Sequence, residues 1–218
     1  MELPRGSLDL GVRSPRCLVF LPGFACPPGA YRSFLNPVAL RVGRVVVPSV
    51  GHLVAEVTGR STPVEEAARA VELVDALRAD GAEIWLGGHS RGGLVSWSAA
   101  PMARVRGLVL VDPVSGGGPP WKPPEPPPAI EPGCPVSILG FGVGGRCAPD
   151  GRNHEQFAAA LPEAQHVLVP ACGHADVLDG GYARFGRLTC GHGDDPATAM
   201  TAARDALFTA LTPMGALG

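Results

Sequence analysis

The stretch Gly88-His89-Ser90-Arg91-Gly92-Gly93 holds the residue types best suited to chemistry. It follows the apolar run Glu83-Ile84-Trp85-Leu86-Gly87 and precedes a helix-compatible run from Leu94 to Ala100. A Gly-x-Ser-x-Gly turn between a strand and a helix is the nucleophile elbow of serine hydrolases, which strains the serine and lifts its hydroxyl clear of the sheet. Gly88 and Gly92 allow strand and helix to approach without a Cβ clash. The helix dipole favours negative charge beside the serine. A serine hydroxyl alone is a poor nucleophile, so Ser90 requires a base, an acid that orients the base, and N–H donors for an oxyanion.

In this kind of fold the chain order is serine, acid, histidine. His174 is the best base: the strand His166-Val-Leu-Val-Pro170 leads to the turn Ala171-Cys172-Gly173-His174. Of the other histidines, His89 sits inside the elbow and points sideways, His52 precedes the serine, and His154 opens a helix. His166 lies within a strand and His192 in a glycine-rich loop. Asp112 and Asp150 compete for the acid. Asp112 closes the strand Gly107–Val111 and is favoured because a strand end fixes it; Asp150 stands ten residues past Gly140 in a loop. Asp176, two residues after His174, would have to share a tight turn. The oxyanion donors are assigned to the backbone N–H of Arg91 and of Phe24, the latter in the loop Leu21-Pro22-Gly23-Phe24-Ala25. Cys172-Gly-His174 and Cys190-Gly-His192 could together offer four zinc ligands, but the spacing is not a usual finger spacing and a metal would consume the base. No metal and no cofactor is expected.

Positioning these groups requires a parallel sheet. Short apolar runs alternate with amphipathic segments, which predicts an α/β fold with crossover helices on both faces. The predicted strands are Cys17–Leu21, Arg44–Pro48, Glu83–Gly87, Gly107–Val111, Val136–Gly140 and His166–Pro170, read as buried on both faces, with Ser7–Val12 as an antiparallel edge. Thr62-Pro63-Val64-Glu65 is a capping box with proline at the first helical position, and Gly81 follows the last turn. Asn153 caps a helix to Leu161, and Asp195-Pro196 opens a last one ending near Thr212-Pro213. Between Ser115 and Pro135 stand nine prolines, so no helix or central strand survives there. Its place after the Asp112 strand argues for a lid or pocket wall.

At 218 residues the chain is read as a single domain, 1–218. A formal charge of −2 offers no electrostatic case for nucleic acid or an anionic membrane. No run approaches the length of a transmembrane helix, and no targeting segment is visible. Six cysteines permit disulfides without requiring them; Cys147 and Cys190 lie in loops and could pair, while Cys17 is read as a core thiol.

These residues together resemble the chlorophyllase family. Gly88–Gly93 carries the family's elbow, and Gly107-Leu-Val-Leu-Val-Asp-Pro-Val114 looks like its next strand and Asp-Pro-Val turn. Cys147-Ala-Pro-Asp-Gly-Arg-Asn-His-Glu-Gln-Phe157 is similar to its Cys-x-Pro-x-Gly-x-Asn-His-x-x-Phe run. Gly173-His-Ala-Asp-Val-Leu-Asp179 resembles its Gly-His-x-Asp-x-Leu-Asp stretch. The resemblance implies an α/β-hydrolase domain that cleaves the phytyl ester of chlorophyll to chlorophyllide and phytol, with Ser90 as nucleophile, Asp112 as acid and His174 as base. It also implies chloroplast residence, the alternative being cytoplasmic. Asn153 and His154 then look like a structural clamp. An apolar groove for a long alkyl chain would draw its walls from Phe24, Trp97, Trp121 and Phe141, with Ile130 nearby. The other readings are a broader carboxylesterase or lipase with the same triad, and a pigment- or lipid-binding protein with an inactive site.

Overall fold

The computed structural model describes residues 2–12, 14–49, 62–115, 126–149, 151 and 153–218. The apolar runs pair into one seven-stranded sheet. Its strands are β1 (Leu8–Gly11), β2 (Arg16–Leu21), β3 (Arg44–Val47), β4 (Glu83–His89), β5 (Gly107–Val111), β6 (Val136–Val143) and β7 (Gln165–Gly173). They lie in the order β1-β3-β2-β4-β5-β6-β7. Only the β1–β3 pairing is antiparallel, as expected for an edge that returns on its neighbour. All other neighbours are parallel.

Helices α1 (Arg32–Val42), α2 (Pro63–Ala79), α3 (Arg91–Ala103), α4 (His154–Ala160), α5 (Gly180–Cys190) and α6 (Pro196–Leu211) cover the sheet. Two apolar layers result. One joins α1 and α6 to the sheet through Phe20, Tyr31, Phe34, Val109, Leu139 and Leu207. The other joins α2, α3 and α4 through Val19, Val74, Leu86, Trp97, Ile138 and Phe157. A parallel sheet covered on both faces needs strands apolar on both sides, and the five residues of β5 are all buried.

Local signals account for several boundaries. At α2, the Thr62 hydroxyl accepts from Glu65 N–H while the Glu65 carboxylate accepts from Thr62 N–H, completing the predicted capping box. The Asn153 side chain accepts from Glu155 N–H at the start of α4, and the Asp195 carboxylate accepts from Ala197 N–H at the start of α6. Two helices are not among those expected from the sequence. α1 begins without a side-chain cap and carries Pro37 inside it, and α5 opens on two glycines. β7 also differs: it is a sheet edge, mostly exposed along its length, and runs from Gln165 to Gly173. Pro170 is tolerated there because an edge strand need not donate on both sides.

Cys147 and Cys190 form a disulfide that ties the loop after β6 to the end of α5. Burial pushes the Cys17 thiol up to about 12, consistent with its core placement. No described helix is long and apolar enough to cross a membrane. Of the proline-rich stretch, residues 116–125, including Trp121, lie outside the described residues. Its second half packs down: Pro128 C=O accepts from Trp97 Nε1–H at 2.8 Å.

Candidate active site

The carboxyl ends of β4, β5 and β7 bring three distant side chains together. Ser90 stands in the turn between β4 and α3 with φ 57° and ψ −123°, the strained backbone that the Gly-x-Ser-x-Gly spacing predicts. The turn closes tightly: a methyl group on Gly92 would run into the carbonyl oxygens of Leu21 and Pro22. Asp112 follows β5 with φ 41° and is held by its N–H donating to Leu139 C=O at 2.7 Å. Among the described residues, the non-glycine positions with positive φ are Ala25, Ser90, Arg104 and Asp112. Ala25, Ser90 and Asp112 lie in the turns that follow β2, β4 and β5, at the same end of the sheet. Backbone strain concentrated in one place is a signature of function.

His174 follows β7. Its Nε2 lies 2.9 Å from Ser90 Oγ and its Nδ1 lies 2.6 Å from Asp112 Oδ2. The other carboxylate oxygen of Asp112 accepts from Phe141 N–H at 3.2 Å. Asp112 and His174 are almost completely buried, while Ser90 keeps a partly exposed face. A carboxylate accepting from Nδ1–H leaves Nε2 as the acceptor of the serine proton, so the arrangement can raise the nucleophilicity of Oγ.

The competing assignments separate. Asp150 lies outside the described residues. Asp176 does not face His174; its Oδ2 accepts from Gly173 N–H at 2.8 Å and Gly193 N–H at 2.7 Å, and Arg187 Nε–H donates to Oδ1 at 3.2 Å. It knits the His174 turn to the 191–193 loop and to α5. The two Cys-x-His pairs do not gather into a ligand set, because Cys190 is bonded to Cys147 and His174 faces Ser90. Among the described residues no group of three or more His, Cys, Asp or Glu side chains is placed to hold a metal ion.

The expected groove walls need correction. Trp97 is fully buried and packs edge-on against Phe157, with ring centroids 5.3 Å apart. It is a core residue on the buried face of α3, because a helix directly after the elbow turns that face inward. Phe141 is likewise core, in the layer with Cys172 and Val169. Phe24 is half-exposed beside the elbow. Asn153 caps α4, and His154 Nδ1 lies 2.8 Å from His166 Nε2, so this motif braces α4 against β7.

Two neighbours of Ser90 are held more firmly than their sequence context shows. The Arg91 guanidinium donates to Glu66 through Nε–H at 3.1 Å and Nη2–H at 2.9 Å, both side chains being buried. This fork pins the first residue of α3 to α2. Glu66→Ala, which strips the guanidinium of its bidentate partner in the interior, should lower unfolding free energy by about 3–5 kcal/mol. Urea denaturation checks this.

His89 is the second. Its Nε2 lies 2.9 Å from His174 C=O and its Nδ1 2.9 Å from Tyr31 Oη. Burial, with His174 alongside, holds its pKa well below the ordinary histidine value. The native state therefore resists a proton that the unfolded chain accepts below about pH 6.5. Stability is then fully present above that pH and should fall by roughly 1 kcal/mol per pH unit below it. His166, half-exposed beside His154 and also shifted down, adds in the same direction. Chemical denaturation between pH 7 and 5 should show this slope, and His89→Gln should flatten it.

The family model described as Chlorophyllase matches residues 15–203. This chain belongs to the chlorophyllase family. The chloroplastic chlorophyllase-1 of Citrus unshiu is 31% identical over 106 residues, spanning 42% of this chain and 31% of that protein. The chain thus spans about a third of the length of the curated relatives it matches. Among solved structures, Thermogutta terrifontis esterase 2, phosphoramylated by tabun, superposes with a TM-score of 0.63 at 17% identity, covering 97% of this chain and 90% of that one. An alpha-beta serine hydrolase homologue from Coxiella burnetii gives 0.59 at 15% identity, covering 96% and 94%. At such identities the likeness establishes the α/β-hydrolase fold of this chlorophyllase-family chain.

Proposed function

We propose that this chain is a carboxylic ester hydrolase that cleaves the phytyl ester of chlorophyll. The observation that carries the reading is the unbroken path from Ser90 Oγ through His174 to Asp112, at 2.9 and 2.6 Å. Ser90 Oγ attacks the ester carbonyl as His174 Nε2 takes its proton. Asp112 keeps the imidazole in the required tautomer and stabilises the imidazolium. The N–H groups of Arg91 and Phe24 receive the oxyanion. His174 returns the proton to the departing alcohol, phytol. Water then attacks the acyl-enzyme, again through His174, and chlorophyllide leaves.

The phytyl substrate is supported by family membership and by the curated Citrus relatives named as chlorophyllases. Phe24 at the rim supplies an apolar contact for the alkyl chain. Chloroplast residence rests on the chloroplastic relatives. The second reading, a broader carboxylesterase, is favoured by neighbours that are named esterases. Purified protein assayed on chlorophyll and on p-nitrophenyl butyrate separates the two. Chlorophyllide formation at a kcat/KM well above that for the short ester is expected. Rapid short-ester turnover without pigment turnover would overturn the pigment reading and leave the hydrolase standing. A pigment-binding protein with an inert site would bind chlorophyll and fail to react with a serine-directed phosphonate.

A further inference from the structure

His89 and Tyr31 form a buried chain whose direction the acceptors dictate. His174 C=O can only accept, so the His89 Nε2 that lies 2.9 Å from it carries the hydrogen. In a neutral ring Nδ1 is then an acceptor, and the Tyr31 hydroxyl, 2.9 Å away, donates to it. The same hydroxyl oxygen accepts from Gly23 N–H at 2.8 Å. Every donor runs one way, from the Gly23 amide to Tyr31, to His89, to the backbone of His174. Tyr31 is fully buried and His89 is 1% exposed, so water does not compete for these bonds.

The two ends of the chain matter. Gly23 sits flush against the elbow: a Cβ there would lie 3.3 Å from Ser90 Cβ, 3.1 Å from Tyr31 Oη and 3.2 Å from His89 Nδ1. Its held N–H fixes the Pro22–Gly23 peptide, one peptide before the one that carries Phe24 N–H. His174 is tethered twice, through its ring to Asp112 and through its carbonyl to His89. We propose that Tyr31 and His89 are positioning residues that fix the Phe24 oxyanion donor and the His174 base relative to one another through a single directed hydrogen-bond chain. This rests on the hydrolase reading above and extends it to residues that touch no substrate.

The test uses Tyr31→Phe, which deletes one hydroxyl while keeping the ring packed edge-on to Phe20 at 5.6 Å. Losing a whole oxyanion donor lowers rates about 10²–10³-fold, so misaiming one should lower kcat on p-nitrophenyl butyrate about 10–100-fold, with KM within about twofold. The matching thionoester develops charge on sulfur, which a hole built for oxygen already stabilises poorly. Its rate should hardly change, so the ester-to-thionoester ratio should narrow by the same factor of about 10–100. A merely structural role would lower both rates together. His89→Leu should narrow the ratio as well. His89→Gln should retain most of the wild-type ratio, because its amide donates to His174 C=O and accepts from Tyr31. Equal losses on both esters, or undiminished kcat in Tyr31→Phe, would overturn the proposal. Phosphonate labelling of the wild-type protein keeps the two readings apart: absence of label at Ser90 refutes the hydrolase reading, whereas label at Ser90 with an unchanged ratio in Tyr31→Phe and His89→Leu refutes the positioning chain alone.

Discussion

Ser90→Ala should reduce kcat on any ester by about 10⁶-fold while leaving the thermal midpoint near that of the parent. The variant removes one oxygen atom that is partly exposed and hydrogen-bonded to His174 Nε2. The elbow itself is held by groups the variant retains, including Ser90 N–H to Val111 C=O at 3.1 Å and Gly93 N–H to Ser90 C=O at 3.0 Å. Folding and reaction are therefore separable at this position. Steady-state hydrolysis of p-nitrophenyl butyrate and of chlorophyll, with melting followed by circular dichroism, measures both. Residual turnover above about one part in 10³ would mean that another nucleophile acts.

Asp112→Asn carries the second largest effect, a loss in kcat of about 10⁴-fold with little change in geometry. The amide can still accept from Phe141 N–H in place of Oδ1. Its NH₂ then faces His174 Nδ1 and stabilises the tautomer with the hydrogen on Nε2, which cannot accept the serine proton. The variant also discriminates among acids. Asp176→Asn disturbs bonds to Gly173, Gly193 and Arg187, so it should lower stability while leaving the rate per folded molecule within about tenfold. Activity above a tenth of wild type in Asp112→Asn would move the role to Asp150. Single-turnover assays across the two variants settle the order.

Much of this was legible in the residues because the signals are local. The elbow announces itself through Gly88, Ser90 and Gly92 in five consecutive positions, between a strand and a helix. Asp112 and His174 are legible because each closes an apolar run at the carboxyl end of its strand. The capping box of α2 is likewise written in four neighbours. What escaped reading depends on tertiary partners. α1 has no side-chain cap and contains Pro37, which contradicts helix by local rules; its buried face of Phe34, Leu35, Val38 and Val42 holds it in place. α5 opens on Gly180-Gly181 and places Gly186 against Ala175, so close packing, not propensity, selects the helix. Trp97 reads equally well as groove or core, and only the fold turns it toward Phe157. Tyr31 carries no motif at all, since its partners Gly23 and His89 stand 8 and 58 positions away.

The sheet divides the interior into two apolar layers, and the groups around Ser90 draw on both. Tyr31, Cys172 and Ala175 belong to the layer under α1 and α6; Leu94, Val95 and Trp97 belong to the layer under α2 and α3. Residues that share no neighbours contribute independently. An engineer seeking a heat-resistant variant can therefore improve positions remote from the shared strands, on the helices of each compartment, in parallel libraries and combine the winners, expecting the gains in melting temperature to sum.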